Sequence, residues 1–276
     1  MHAEFVSKNG DILPLDRAQV SLSNIEYAYG FGVYENIRVV HGASVFLEEH
    51  LQRLLHSAET IGLLHTLTIE KMSEWIDALL RTIHAESCNL KLLLVGGKSA
   101  EGALLWILPL SPLFPDKKLF RDGIAVISVK HERFLPHAKT LNMLPSYLFY
   151  RKAKEVKCYD ALLVDRNECI TEGTRTNILA IKDRTIISPP NKDILEGVMR
   201  ANVLAVAKKN GYAFREEAIP LKNIDAFDGF FLTSTSSKIL PINKIDDTII
   251  RIPTALRELM KIFDDYMEEV YATRKG

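Results

Sequence analysis

Cysteine, tryptophan and net charge are all scarce in this chain of 276 residues. Cys88, Cys158 and Cys169 stand far apart with no CxxC spacing, which excludes a disulfide framework and a zinc-ribbon site and leaves reduced thiols as the expectation. Lysine plus arginine number 35 and aspartate plus glutamate 35, so no net field gathers the chain onto nucleic acid and any anion site must be local. No apolar run approaches membrane-spanning length; the longest, near Leu92–Val95 and Ala103–Leu108, are strand-sized. The first ten residues hold no apolar targeting core. The expectation is a soluble, cytoplasmic protein with neither a nucleic-acid nor a membrane partner. Chemical signatures are missing as well. Gly30-Phe-Gly32 lacks the third glycine and the strand–helix setting of a dinucleotide fingerprint, and no G-x-S-x-G elbow occurs. His50 and His56 share a helix at the wrong spacing for one face, so no metal site is expected.

What is present is an ordinary globular composition, 47% hydrophobic and 25% charged, able to bury a real core. A hairpin around Asn9-Gly10-Asp11 opens the chain. Strands follow at Val33–Val40 and Val45–Leu47, then amphipathic helices near Glu48–Ile61 and from Thr68-Ile-Glu-Lys71 through Ile83. Pro109-Leu-Ser-Pro-Leu-Phe-Pro-Asp116 carries three prolines in eight residues and cannot continue a helix or a central strand. The second half is rich in short strands, with helices predicted at Tyr147–Lys157, Val198–Lys209 and Thr254–Tyr271. The pattern predicts an α/β (α+β) chain of two domains, Met1–Asp116 and Ile124–Gly276, joined by a linker at Lys117–Gly123.

Five segments could carry chemistry. Lys139, in His137-Ala-Lys139-Thr-Leu-Asn142, sits between a predicted strand and a helix, where burial can make an amine nucleophilic; alone, it is one of many surface lysines. Glu172, in Ile170-Thr-Glu172-Gly-Thr-Arg175-Thr-Asn177, is a carboxylate in a glycine-containing turn, suited to a cationic ring nitrogen or to a plain hairpin. Thr233-Ser-Thr-Ser-Ser237 offers consecutive hydroxyls for a phosphate, or local loop hydrogen bonds. Leu195-Glu-Gly197-Val-Met-Arg200 opens a helix whose amides favour an anion. The fifth is Tyr27-Ala-Tyr29-Gly-Phe-Gly-Val-Tyr34-Glu-Asn-Ile-Arg38.

Taken in order, these blocks together with His50-Leu-Gln-Arg53-Leu resemble the fold-type IV (class IV) pyridoxal-phosphate aminotransferase family. That family includes branched-chain and D-amino-acid aminotransferases and aminodeoxychorismate lyases. The resemblance runs from about Ser21 to Ile245 and implies a D-amino-acid aminotransferase-like fold. It implies pyridoxal 5'-phosphate as cofactor, held covalently by Lys139, which also shuttles the substrate proton. It gives Glu172 to the ring nitrogen, and Arg53, Ser234, Thr235 and the amides of Val198 and Met199 to the phosphate. Leu195 would pack on the ring, and Tyr34 would reach toward the lysine or the substrate. Two departures stand out: Met199 replaces the usual threonine, and the strand near Lys91–Gly97 lacks the family's substrate-binding arginine. Arg38, Arg133 and Arg175 become the candidates for the substrate carboxylate. The implied activity is ping-pong transamination between a small amino acid and a 2-keto acid. The alternative is 4-amino-4-deoxychorismate lyase chemistry, yielding 4-aminobenzoate and pyruvate. A homodimer is implied by the family.

Overall fold

Along Glu35–Val40 and Cys88–Leu94, buried and half-buried residues alternate, and that period of two builds a sheet with one sealed face. The computed structural model describes residues 4–21, 23–112 and 115–273. The chain divides into two compact units. The first comprises Met1–Leu113, Ala138–Asn142 and Val270–Gly276; the second comprises Phe114–His137 and Met143–Glu269.

The first unit holds strands β1 (Phe5–Lys8), β2 (Asp11–Pro14), β3 (Gly32–Val40), β4 (Ala43–Ser44), β5 (Ser87–Val95) and β6 (Leu104–Leu110), with helices α1 (Ile25–Ala28), α2 (Leu47–Thr60) and α3 (Ile69–Ile83). The strands form one antiparallel sheet in the order β2-β1-β6-β5-β3-β4. Val33, Ile37 and Val39 of β3 and Leu90, Leu92 and Leu94 of β5 meet Leu51 and Leu54 of α2 and Met72, Ile76 and Leu79 of α3 in one core. Thr68 caps α3 by accepting a hydrogen bond from the Lys71 amide. Pro109 does not stop its strand as the sequence led us to expect: it pairs with Leu90 inside β6. The ladder from β1 reaches only Trp106 and Ile107, so the missing amide falls where β6 is paired on one side.

The second unit holds β7 (Ile124–Lys130), β8 (Asp160–Val164), β9 (Cys169–Gly173), β10 (Asn177–Lys182), β11 (Thr185–Ser188), β12 (Ala213–Glu216), β13 (Ile219–Pro220), β14 (Gly229–Ser234), β15 (Lys238–Ile245) and β16 (Thr248–Ile249). Its helices are α4 (Lys117–Asp122), α5 (Leu144–Glu155), α6 (Val198–Lys209) and most of α7 (Thr254–Ala272), whose last residues group with the first unit. α5 and α6 are crossovers between the parallel pairs β7–β8 and β11–β12. The order β10-β14-β15-β7-β8-β9 closes on itself through a β9–β10 pairing, forming a ring of six strands. Ile124, Val126, Leu162, Ile178, Phe230 and Leu240 are among its buried residues.

Three local readings change. Lys117–Asp122, taken as linker, is helix α4, capped by the Asp116 carboxylate accepting from the Lys118 amide. Ala138–Asn142 groups with the first unit, because its backbone bonds to β3, and not with the second half of the sequence. The Thr-Glu-Gly run, turn-like in composition, belongs to strand β9, which is buried by tertiary packing. Leu113 and Phe114, in the proline-rich stretch, lie outside the described residues.

Candidate active site

In the first unit the chemistry gathers around β3. The Tyr34 amide donates to the Lys139 carbonyl at 2.9 Å and the Leu141 amide to the Gly32 carbonyl at 2.9 Å, so residues 139–141 lie along β3 as a short extra strand. The Lys139 amide donates to Ser57 Oγ of α2 at 3.1 Å. With its backbone held on both sides, the Lys139 side chain is delivered to Tyr34, Nζ lying 4.4 Å from the ring centroid. Sequence reasoning brought Lys139 and Tyr34 to one site, and here they touch.

The next residue of β3 faces the other way. Glu35 is fully buried under α2, where Arg53 grips it with two bonds, Nε to Oε1 at 2.6 Å and Nη2 to Oε2 at 2.9 Å. His50 Nδ1 lies 2.9 Å from Oε2. A carboxylate only accepts, so Nδ1 carries the hydrogen. Burial pushes the Glu35 pKa up, but Arg53 and His50 together outweigh it and hold the carboxyl far below the usual range. The helical spacing that puts His50 and Arg53 on one face of α2 therefore serves a buried carboxylate. A role for Glu35 had no signal in the sequence, because its partners lie 15 and 18 residues away.

In the second unit Glu172 is the penultimate residue of β9 and is buried. It accepts from Arg133 Nη1 at 2.9 Å and faces the Leu195 amide at 3.4 Å. Asn177, its partner across β9–β10, donates from Nδ2 to the Leu195 carbonyl at 2.7 Å, which pins the Leu195 segment beside the carboxylate. The intervening turn is braced from beneath. Buried Asp160 accepts from the hydroxyls of Thr174 at 2.5 Å and Thr176 at 3.0 Å and from the Ala161 amide at 2.8 Å. Burial raises the Asp160 pKa, opposed by these bonds and by Arg175. Gly173 is obligatory there: a Cβ would stand 2.1 Å from Thr176 Oγ1 and 2.8 Å from an Asp160 oxygen. Arg175, at the tip, is exposed and stacks on Tyr150, 3.8 Å from the ring centroid.

The two predicted anion elements of this unit are also formed. Gly197 caps α6 with no side-chain cap bond, which leaves the amides of Val198 and Met199 to another acceptor. A Cβ on Gly197 would meet Asn177 Oδ1 at 2.0 Å. Ser234 closes β14 and Thr235 starts the turn to β15. Ser234 Oγ is engaged locally, with Ser237 Oγ at 2.7 Å and Ser236 Oγ at 3.3 Å. The neighbouring Thr233 Oγ1 is buried with no hydrogen-bond partner among the described residues. Arg200 is structural: it donates to Ser188 Oγ and Asn191 Oδ1 from within the core.

Residues 32–245 match the model of amino-transferase class IV. The chain belongs to that family. Class IV relatives include a D-alanine aminotransferase of Staphylococcus epidermidis, 29% identical over 274 residues, covering 94% of this chain and 96% of that protein. A D-alanine aminotransferase of Bacillus licheniformis is 29% identical, covering 86% and 87%. Among solved structures, a T.th. branched-chain amino acid aminotransferase with pyridoxamine 5'-phosphate superposes with a TM-score of 0.89, at 25% identity, over 99% of this chain and 96% of that one. The fold is therefore that of the fold-type IV aminotransferases.

Within this class IV chain the three arginines named as carboxylate candidates have distinct surroundings. Arg133 is engaged by Glu172, Arg175 by Tyr150, and Arg38 lies over the Tyr271 ring at 5.8 Å. Sequence reasoning missed Lys91, whose Nζ lies 5.9 Å from the Tyr34 centroid. Its place opposite Asn36 follows from the β3–β5 register, which leaves no signal in the sequence.

Proposed function

We propose that this class IV aminotransferase moves an amino group between a small amino acid and a 2-keto acid, using pyridoxal 5'-phosphate held by Lys139. The observation carrying this reading is the Lys139 amine, clamped through its backbone to β3 and α2 and set against the buried Tyr34 ring. The groups present suit such a cofactor. An uncapped helix start, an unsatisfied buried Thr233 hydroxyl and a buried carboxylate match a phosphate and a cationic ring nitrogen. When bound, the cofactor supplies an electron sink for negative charge at the substrate Cα.

The residues divide the remaining work. Lys139 Nζ is the base that would take the substrate Cα proton, and Tyr34 limits the directions that amine explores. Glu172 holds a negative charge for the ring nitrogen, its orientation set by Arg133 and the Leu195 amide. Arg53, the amides of Val198 and Met199, Ser234 and Thr235 serve the phosphate, and Leu195 covers the ring. Arg38, Arg133 and Arg175 remain proposed substrate contacts. The reaction is ping-pong, because the amino group rests on the enzyme between two substrates. Transamination is preferred to lyase chemistry because the similar proteins above are aminotransferases.

The test is spectroscopic. Purified holoenzyme is titrated separately with D-alanine, L-glutamate and L-leucine, without an acceptor. A donor that converts the cofactor band to its amino form, reversed by a 2-keto acid, is the expected result and also reads out handedness. Conversion by none of a full set of D- and L-amino acids would sink the proposal. Lys139→Ala should lose the covalent cofactor band and at least about 100-fold in turnover. The chain is further proposed to work in the cytoplasm as a homodimer. Leu144, Tyr147 and Leu148 of α5 form an exposed apolar stripe that suits a second copy.

A further inference from the structure

Cross-strand partners, and residues two apart on one strand, share a face of a sheet. In the first unit Tyr34 lies opposite Leu93, Asn36 opposite Lys91 and Arg38 opposite Asn89. Leu93 in turn lies opposite Trp106, and Trp106 opposite Lys8. Tyr34, Asn36, Arg38, Asn89, Lys91 and Lys8 therefore share one face, while Glu35, the acid of β3, is turned to the other and bound to Arg53. On the shared face the charged groups of β3 and β5 are Arg38 and Lys91, both cationic; Asp11 stands apart at the outer edge, opposite Lys8.

The cations of this face are not equivalent. Lys8 lies over Trp106 and Arg38 over Tyr271. Lys139 and Lys91 both lie within 6 Å of the Tyr34 ring centroid, at 4.4 and 5.9 Å. Lys91 is half-buried and has no ion pair or hydrogen bond among the described residues. An ammonium partly withdrawn from water without a counter-charge is costly, and in a chain of zero net charge no distant field offsets it. An anion small enough to share the Tyr34 surface with the Lys139 amine would supply that counter-charge.

We propose that Lys91 is the specificity residue that receives a carboxylate of the substrate, on the sheet face it shares with Tyr34 and Asn36. This rests on the transamination reading. It assigns to a lysine of β5 the task for which Arg38, Arg133 and Arg175 are the arginine candidates. Lys139 approaches Tyr34 from the segment paired along one edge of β3, and Lys91 from β5 on the other side. A substrate whose amino group meets Lys139 can thus present a carboxylate to Lys91 across the ring. The carboxylate can be the one on Cα or one at the end of the side chain.

Two measurements test this on the holoenzyme. Calorimetric titration with propionate and with succinate compares the wild type with Lys91→Met and Lys91→Arg, and steady-state kinetics compares pyruvate with 2-oxoglutarate. Loss of a charge-assisted bond should weaken carboxylate binding in Lys91→Met about 10–100-fold, with recovery in Lys91→Arg. The KM of the keto acid should rise by far more than kcat falls. Weakening of both ligands and both acceptors points to the Cα carboxylate; weakening of succinate and 2-oxoglutarate alone points to the side-chain carboxylate. Equal binding by wild type and Lys91→Met, or no carboxylate binding by the wild type, overturns the proposal. If the methionine variant does not fold, Lys91→Gln takes its place in the same titrations. A wild type that binds carboxylates through Lys91 yet transfers no amino group would refute the transamination reading and leave the carboxylate site standing.

Discussion

At the scale of single residues, Glu35 shows how a charge can be kept ionised without water. Its carboxylate is fully buried, yet three hydrogen bonds from Arg53 and His50 replace its hydration. Glu35→Gln removes the charge but leaves the Arg53 guanidinium beside it, and we expect a loss of about 3–5 kcal/mol of stability in urea unfolding. The pH dependence has a definite sign. The folded-state pKa is depressed, so the stabilisation is present above the ordinary carboxyl value of about 4 and is lost as pH falls below it. Wild-type stability should therefore drop more steeply with acid than that of Glu35→Gln; parallel curves would contradict the assignment. The thiol of Cys88 makes a contrast. Burial with no compensating partner pushes it up to about 11, and slow reaction with a thiol reagent in the native state should follow.

At the scale of elements, the β9–β10 turn depends on a residue remote from it in sequence. Asp160, at the start of β8, carries the hydroxyls of Thr174 and Thr176 and so fixes the turn joining Glu172 to Asn177. Asp160→Ala would leave three donors without their acceptor, and a loss of at least about 2 kcal/mol is expected by chemical denaturation. Asp160→Asn keeps an acceptor and should lose less. Its linkage runs opposite to that of Glu35. Burial raises the folded pKa, so this group favours the folded state more as pH falls, and Asp160→Asn should remove that component. A turn that only satisfied its own backbone would make both variants silent.

At the scale of the whole molecule, the apolar stripe of α5 makes association a measurable quantity. Replacing Leu144 and Leu148 with glutamate should shift the protein toward monomer in sedimentation velocity, and an unchanged distribution would remove α5 from the interface. Much of the element order was legible because periodicity is local. Glu35–Val40 alternates between buried and half-buried positions, the stripes of α2 and α3 repeat at helical spacing, and Thr68 marks a helix start. The blocks around Lys139, Glu172, Gly197 and Ser234 stand out as candidates for a related reason, since each is a short run whose residue types suit one chemical group. The pairing of Arg53 and His50 with Glu35, the brace under Gly173 and the place of Lys91 beside Tyr34 were not legible. Each joins residues that only strand register or helix packing makes neighbours.

Lys139 divides the two kinds of information. The amino-acid sequence by itself determined that a lysine stands between a strand and a helix, in an order shared with class IV aminotransferases. Only the tertiary structure decided that its segment lies along β3 and that its amine meets Tyr34 with Lys91 on the far side. Residue type and local period are properties of the chain, whereas which side chains share a sheet face depends on register, and register is set by the packing of the whole sheet.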